Sequence, residues 1–393
     1  MHREVQSEHT PLEGRLRPLL LLPCQGEVGW GFLTTNTESQ MSHRHVTPGP
    51  RHWLLHHQPL LILALSVILI ATMALGVSTG SVGIEPNVVW GVVANHLFPG
   101  SVEITWSPGR DNIVWEVRLP RVILGAIVGA SLALVGAALQ SVTRNPLADP
   151  HLLGISSGAA LGAIIVLLHT GMILGLATLP IFAFAGALIT TIIVVGAASL
   201  TRSTSASRLI LAGVAVSFVI TSAGSLGIFL GDPRAAHTVL FWMLGGLGLA
   251  QWNQLIFPLT ALIACGAWLL LRARYLNAMT LGDESATSLG IPAGRFRITI
   301  FTICALLTGA AVAFSGVISF VGLMIPHIVR MLVGGDYRRV LPLSALVGAI
   351  FLVLADILAR MIIPPQDIPI GVITGLIGGL FFLLLLRRNA RVG

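Results

Sequence analysis

No lysine occurs anywhere in the 393 residues, so the formal net charge of +7 rests on arginine alone. That absence excludes one function at once. A P-loop needs Gly-Lys-[Ser/Thr], whose lysine reaches the β- and γ-phosphates of a nucleotide. This chain has no such loop, and any ATP-driven work falls to another subunit. Charge of either sign is scarce: Asp, Glu, Lys and Arg make up 10% of the residues, where soluble domains carry about 25%. The arginines sit scattered at the ends of apolar runs and make no stripe, which argues against a nucleic-acid surface. Cysteine is nearly absent. Cys24, Cys265 and Cys304 lie far apart, two of them in apolar runs, with neither metal-ligand spacing nor a disulfide framework. No His-Glu-x-x-His and no Gly-x-Ser-x-Gly is present, and Gly245-Gly246-Leu247-Gly248 lacks a Rossmann context and reads as a helix break. Within the apolar runs Asp356 is the one acidic residue, with Arg360 at i+4 as a local ion partner. Carriers driven by protons or sodium use intramembrane charges as coupling sites, so this scarcity weakens an ion-coupled mechanism.

What is abundant is apolar sequence. The chain is 54% hydrophobic, with a mean hydropathy of +0.87. Ten apolar segments lie near 54–76, 119–142, 152–169, 174–199, 208–230, 254–271, 298–317, 319–333, 341–363 and 368–386. Several approach or exceed the roughly 20 residues that cross a bilayer core. The expectation is an all-α, polytopic membrane protein with about ten transmembrane helices. The eighth segment is short and carries Pro326 and His327. Residues 1–50 differ from the rest: they are polar, rich in Pro, His and Arg, and read as a disordered tail ahead of a membrane domain at 51–393. Seven of the twelve histidines, from His2 to His57, fall in the first 57 residues, which also suits a metal-sensing tail, and Met41 offers an alternative start.

Arginine in the short loops sets the orientation. With a cytoplasmic N-terminus, Arg51, Arg144, Arg202, Arg208, Arg272, Arg274, Arg295, Arg297, Arg330, Arg338, Arg339, Arg387, Arg388 and Arg391 lie inside, and Arg110, Arg118, Arg121, Arg234 and Arg360 outside. Both termini are therefore expected in the cytoplasm. Trp90, Trp106, Trp115, Trp242 and Trp252 fall toward the outer surface, as an interfacial belt would. Gly154/Gly158/Gly162, Gly371/Gly375/Gly379 and Gly125/Gly129 recur at four-residue spacing, which allows helix backbones to approach closely in lipid. A weak internal echo also exists. Arg121 precedes Pro150-His151 by the same distance as Arg297 precedes Pro326-His327, five segments apart, which would make the copies inverted. The two histidines suit ligand roles or, more simply, capping at helix ends.

Between two apolar runs lies a polar, acidic island, Leu281-Gly-Asp-Glu-Ser-Ala-Thr-Ser-Leu-Gly-Ile291. Leu281, Ser285, Ser288 and Leu289 share one helical face, while Asp283, Glu284 and Thr287 point elsewhere. The arginine bias puts this island inside. It suits either a handle for a soluble partner or an ordinary loop with helical content.

Six stretches together closely resemble the FecCD-type permeases, which include the BtuC-like vitamin B12 permease: Arg118-Leu-Pro-Arg121, Gly136-Ala-Ala-Leu-Gln140, Asn145-Pro-Leu-Ala-Asp-Pro-His-Leu-Leu-Gly154, Leu281–Gly290, Gly316–Arg330 and Ile368–Gly375. The resemblance covers about residues 54–388 in order. It implies a membrane subunit of a type II ABC importer that pairs with a second copy, two ATP-binding subunits and a periplasmic substrate-binding protein in the bacterial inner membrane. It implies a coupling helix at Leu281, Gly282, Asp283, Glu284, Ser285, Ala286, Thr287, Ser288, Leu289 and Gly290. Arg118, Arg121 and Arg360 match positions that receive acidic residues of the binding protein. Asn145, Pro146 and Leu147, with Ser205, Ala206 and Ser207, match a cytoplasmic gate, although the BtuC member has Thr where this chain has Ala206. No metal or cofactor is implied in this chain, since ATP and Mg would sit on the partner ATPase. The implied cargo is a bulky metal chelate, a ferric siderophore first and then haem or cobalamin. A reading of a different class is a secondary carrier for a small solute.

Overall fold

The computed structural model describes residues 58–200 and 205–389. The tail 1–50, its histidines and Met41 lie outside these residues, as do Arg51, Arg202 and Arg391. The chain forms α1 (Gln58–Ser78), α2 (Pro86–Leu97) and α3 (Pro108–Thr143), the last with a π-helical turn at Ile113–Arg118. After a 3-10 turn at Pro150–Leu153 come α4 (Ile155–Ile165), which widens at Val166–Thr170, then α5 (Thr178–Leu200), α6 (Ala206–Leu230) and α7 (Pro233–Met243). The rest is α8 (Trp252–Leu271), α9 (Ala273–Thr280), α10 (Asp283–Ser288), α11 (Ala293–Ser315), α12 (Val321–Val333), α13 (Tyr337–Met361) and α14 (Ile370–Asn389). Among the described residues one four-residue extended stretch, Ile173–Leu176, stands between the helices. Each of the ten expected apolar segments contains a helix among the described residues. Seven, in α1, α3, α5, α6, α8, α11 and α13, are long and apolar enough to cross a membrane, and the segments in α4, α12 and α14 are shorter.

The helices differ in what surrounds them. α1 is apolar on all sides and buries only Thr72, Gly76 and Val77, the pattern of a helix facing lipid. α3 is the opposite: from Pro120 to Thr143 every residue except Ile123 and Ala126 is buried. It packs against α13, α11, α12 and α8. Two of its hydroxyls are satisfied inside the helix, Ser131 donating to Ile127 O and Thr143 to Leu139 O, both at 2.7 Å. Glycine makes this burial possible. A Cβ on Gly129 would sit 2.2 Å from Gly348 O of α13, and one on Gly136 would sit 1.9 Å from Gly322 O of α12. Between α4 and α5 the same device recurs, where a Cβ on Gly158 would lie 2.4 Å from Gly186 O and one on Gly162 would lie 2.1 Å from Phe182 O. Backbones in such contact gain dispersion that larger side chains would forbid.

Three sequence expectations change here. Of the repeat on α14, only Gly371 meets a neighbour, Leu244 O, while Gly375 and Gly379 face open space. The tryptophans expected in a belt do not share one environment: Trp90 is 43% exposed and the others are more enclosed. Trp106 and Trp242 are 8% and 9% exposed, the Trp106 indole donates to Asp111 at 2.9 Å, and Trp115 stacks between His96 and Trp252. The paired Pro-His dipeptides differ locally, since Pro150 opens a 3-10 turn and Pro326 lies inside α12. Even so, α3 and α11 run in opposite senses: Arg297 near the start of α11 bonds Val142 O at the end of α3.

The glycine contacts set a sharp stability test. Gly136→Val should cost about 3 kcal/mol or more, because a backbone carbonyl cannot retreat like a flexible side chain. Gly196→Ala, where nothing lies within 4 Å, should be neutral or slightly stabilising. Thermal unfolding of the detergent-solubilised variants checks both, and a Gly136→Val protein as stable as wild type would contradict the packing described.

Candidate functional site

The acidic island folds into α10, held away from the long helices by breaks at both ends. Gly282 has φ of 114° and ψ of 163°, a conformation open to glycine alone. At the other end Gly290 has φ of 80°. Ile291 N–H returns to Ala286 O at 3.0 Å and Gly290 N–H to Thr287 O at 2.9 Å, the bond pair of a Schellman motif. Ile291 and Ala286 are both buried, which supplies the apolar contact that accompanies this cap. Asp283 and Glu284 occupy the first turn, where negative charge favours the helix dipole.

Asp283 departs from expectation. Its carboxylate turns inward and accepts from Arg297 Nη2 at 2.6 Å, with Arg144 Nη2 at 3.7 Å. Arg297 is 1% exposed and also donates to Val142 O at 3.1 Å. This buried guanidinium therefore fastens α10 to the end of α3. The front side is fastened too. Ser141 of α3 donates to Leu276 O of α9 at 2.7 Å, and Asn277 of α9 donates to Asp336 and accepts from Tyr337 N–H, both at 2.8 Å. Burial pushes the Asp336 carboxyl up, but the Asn277 hydrogen bond, the Arg338 amide and the charges of Arg338 and Arg339 hold it below its ordinary value. With α10 held from below, its upper face is bare. Leu281 and Leu289 are 70% and 65% exposed, and Glu284, Ser285, Thr287 and Ser288 are exposed beside them. Two large exposed aliphatic side chains thus flank a short helix whose outer face is polar.

The residues matched by sequence to a gate begin next door. Arg144 ends α3 in the left-handed conformation, with φ of 53°, and Asn145 follows it directly. Asn145 Oδ1 accepts from Leu147 N–H at 2.9 Å, which shapes Asn145-Pro146-Leu147 into an Asx turn with Leu147 52% exposed. Ser205, Ala206 and Ser207 open α6, where Ser205 O accepts from Leu209 N–H at 3.2 Å. Between them, Gly154 before α4 packs against Gly213 and Ser217, two to three turns into α6. One stretch is the turn after α3 and the other the start of α6.

At the opposite end of α3 the three outer arginines do come together, and they are buried. Arg118, Arg121 and Arg360 are 4%, 7% and 4% exposed. Arg118 Nη1 donates to Val77 O and Ser78 O at 3.2 and 3.3 Å, and its Nη2 donates to Val82 O. Arg360 donates to Thr79 O and Gly76 O, both at 3.0 Å. These two side chains thus cap the C-terminus of α1, where the helix dipole is negative. Asp356, 1% exposed, is shared rather than local: Arg121 Nε lies 2.9 Å from one oxygen and Arg360 Nε 3.0 Å from the other. Arg121 Nη1 reaches further, to Asp367 at 2.5 Å. In this state all three guanidinium groups have partners within the chain. Beside Arg121 opens a cavity of about 540 Å³ with largely apolar walls, including Leu179, Phe241, Trp242, Phe314 and Ile368. The Gly245–Gly248 cluster forms part of its lining as a junction: Gly245 O accepts from Ile370 N–H at 3.0 Å, and Gly246 N–H donates to Ser315 O at 2.8 Å.

Sequence reasoning missed Arg297 as an anchor, Asp367 as a partner of Arg121, and the cavity. Arg297 read as one more inside arginine, although its fourteen-residue spacing from Asp283 across one turn and a helix start was visible. Nothing in the sequence marked the cavity, whose lining comes from five separated stretches.

The sequence profile of the FecCD transport family matches residues 68–388. The chain is 44% identical over 335 residues to an uncharacterized ABC transporter permease protein of Bacillus subtilis, YvrB, covering 84% of this chain and 92% of that protein. It is 39% identical over 340 residues to the hemin transport system permease protein HmuU of Yersinia pestis, covering 84% and 97%. It is 42% identical over 276 residues to the cobalamin import system permease protein BtuC of Halobacterium salinarum, covering 70% and 73%. Among solved structures it is similar to a metal-chelate type ABC transporter in an inward-facing conformation, with a TM-score of 0.72 and 29% identity over 84% of this chain and 99% of that one.

Removing Asp356 tests the arginine cluster. Asp356→Ala leaves Arg121 and Arg360 facing each other in a buried site and should cost about 3–5 kcal/mol. Asp356→Leu combined with Arg360→Met should recover part of that loss. Chemical unfolding of the single and double variants measures it, and a single variant within error of wild type would show that the cluster carries no net charge strain.

Proposed function

The chain belongs to the FecCD transport family as a multi-span permease of the ABC importer kind, and from that premise we propose that it moves a bulky metal chelate across the bacterial inner membrane. A ferric siderophore is the first candidate and haem or cobalamin the next. The observation that carries this reading is α10: a short helix fixed from below by Arg297, preceded by α9 that Asn277 fastens to the start of α13, and flanked by the exposed Leu281 and Leu289. A surface of this kind fits a cleft on an ATP-binding subunit. Since the chain lacks lysine and hence a P-loop, ATP and Mg belong to that partner, and α10 receives its motion. The Arg297–Asp283 bond passes this motion to the end of α3, next to the gate turn at Asn145-Pro146-Leu147 and, across the same end, to Ser205-Ala206-Ser207. Rigid elements moving on such fastenings, rather than a continuous deformation, are how small displacements become a change of access.

A second copy completes the pathway. Gly375 and Gly379 on α14 face open space, and Leu376, Leu380 and Leu383 beside them are 69%, 59% and 66% exposed. Small residues flanked by leucine suit a helix contact with a partner chain in lipid. The arginine end faces the periplasmic binding protein, with both termini of the chain in the cytoplasm. Because Arg118, Arg121 and Arg360 are engaged internally, they act on the binding protein through a net positive field and a fixed surface, which chiefly tunes encounter rate and salt dependence. The secondary-carrier reading loses ground, since Asp356 is tied to two arginines and is no free coupling site.

Leu281→Asp with Leu289→Asp should leave the fold intact and lower co-purification of the ATP-binding subunit at least tenfold, with uptake lost in parallel. Substrate-specific uptake into vesicles that contain this chain and no ATPase subunit would overturn the importer reading.

A further inference from the structure

The cavity beside Arg121 has a charge arrangement that its apolar walls do not explain. Its volume of about 540 Å³ is in the range of small-molecule sites, roughly 300–1,000 Å³. Only Arg121 and Asp367 bring full charge to its lining; the other polar side chains there are Thr238, Ser315, Gln251 and Gln254. Arg121 is held in place from behind by Asp356, a 1% exposed carboxylate on α13 that is ion-paired with both Arg121 and Arg360. Asp367 is a different kind of partner. Its side chain is 41% exposed, and it sits on the connector between α13 and α14. The backbone of that connector is secured independently, by Ile368 N–H to Ala359 O and by Ile370 and Gly371 N–H to Gly245 O and Leu244 O, all at 3.0 Å. The Asp367 carboxylate can therefore swing toward water without loosening the wall.

The local charge balance favours exchange. Arg118, Arg121 and Arg360 outnumber Asp356 and Asp367, so an anion arriving from the cavity enters a positive field, and more so once Asp367 has turned away. A half-exposed ion pair is weak, whereas a carboxylate on an apolar ligand would meet the same guanidinium in a largely desolvated place, where charge-assisted hydrogen bonds count for more. We infer that this cavity is a subsite for an apolar ligand carrying a carboxylate or similar oxyanion, which replaces Asp367 on Arg121 Nη1. The inference rests on the importer reading and sharpens it: the chain itself, and not the binding protein alone, selects for anionic cargo.

The test uses the full chain in nanodiscs, with haemin and haemin dimethyl ester as matched probes that differ in their two carboxylates. Quenching of tryptophan fluorescence reports binding, since Trp242 lines the cavity. Wild type should bind the acid at least tenfold more tightly than the ester. Asp367→Asn removes the competitor and keeps the shape, so it should tighten acid binding about five- to tenfold and leave the ester unchanged. Arg121→Gln should abolish the preference. Asp367→Asn, at a side chain 41% exposed, keeps the inference falsifiable if the Arg121 variant does not fold. Equal binding of acid and ester, no binding of either, or an Asp367→Asn protein no tighter for the acid would each overturn the inference. Uptake by the assembled ATP-driven complex is read separately. Intact uptake without acid preference sinks the subsite alone, and absence of ATP-dependent uptake sinks the importer reading.

Discussion

The burial of α3 is the constraint on which the other features depend. A helix of 36 residues can be enclosed over most of its length only if its neighbours come to within backbone contact, and Gly129 against Gly348 and Gly136 against Gly322 provide that. Once enclosed, α3 has two ends in fixed positions. Each end then needs its polar groups satisfied, because a buried helix terminus without partners is costly. Arg297 does this on Val142 O at the C-terminal end, while Arg118 and Arg121, nearer the other end, reach out from α3 to the last carbonyls of α1 and to Asp356 and Asp367.

The same arginines place the functional elements. Arg297 holds Asp283, and through it α10. Arg121 holds Asp356 and Asp367, and through them the wall of the cavity. Arginine suits these posts better than lysine would, since its planar fork can serve a carboxylate and a carbonyl at once. A chain with no lysine thus uses its scarce charge mainly for fastening. The buried ion pairs add little net stability compared with well-packed apolar substitutes; their contribution is position.

Much of this was legible in the sequence. Ten apolar segments gave ten helices because burial in lipid leaves the backbone no alternative to internal hydrogen bonds. The island at Leu281–Ile291 was legible as a surface helix because its glycines and acidic first turn are local signals. Its inward carboxylate was not, since Asp283 meets Arg297 only after a helix reverses direction. Arg118, Arg121 and Arg360 could be grouped by side of the membrane, but their burial depends on where the carbonyls at the end of α1 fall. The repeat at Gly371, Gly375 and Gly379 illustrates the limit of spacing. One of its members packs within the chain and two do not, a distinction made by Leu244 lying against only the first.

The central claim is that α10 is a fastened handle, whose tie to α3 carries motion from an ATPase to the gate. Asp283→Ala cuts that tie while leaving Leu281 and Leu289 on the surface. In the reconstituted importer, the ATP-binding subunit should still co-purify and hydrolyse ATP, while substrate moved per ATP falls at least tenfold. An unchanged ratio of transport to hydrolysis in this variant would contradict the account.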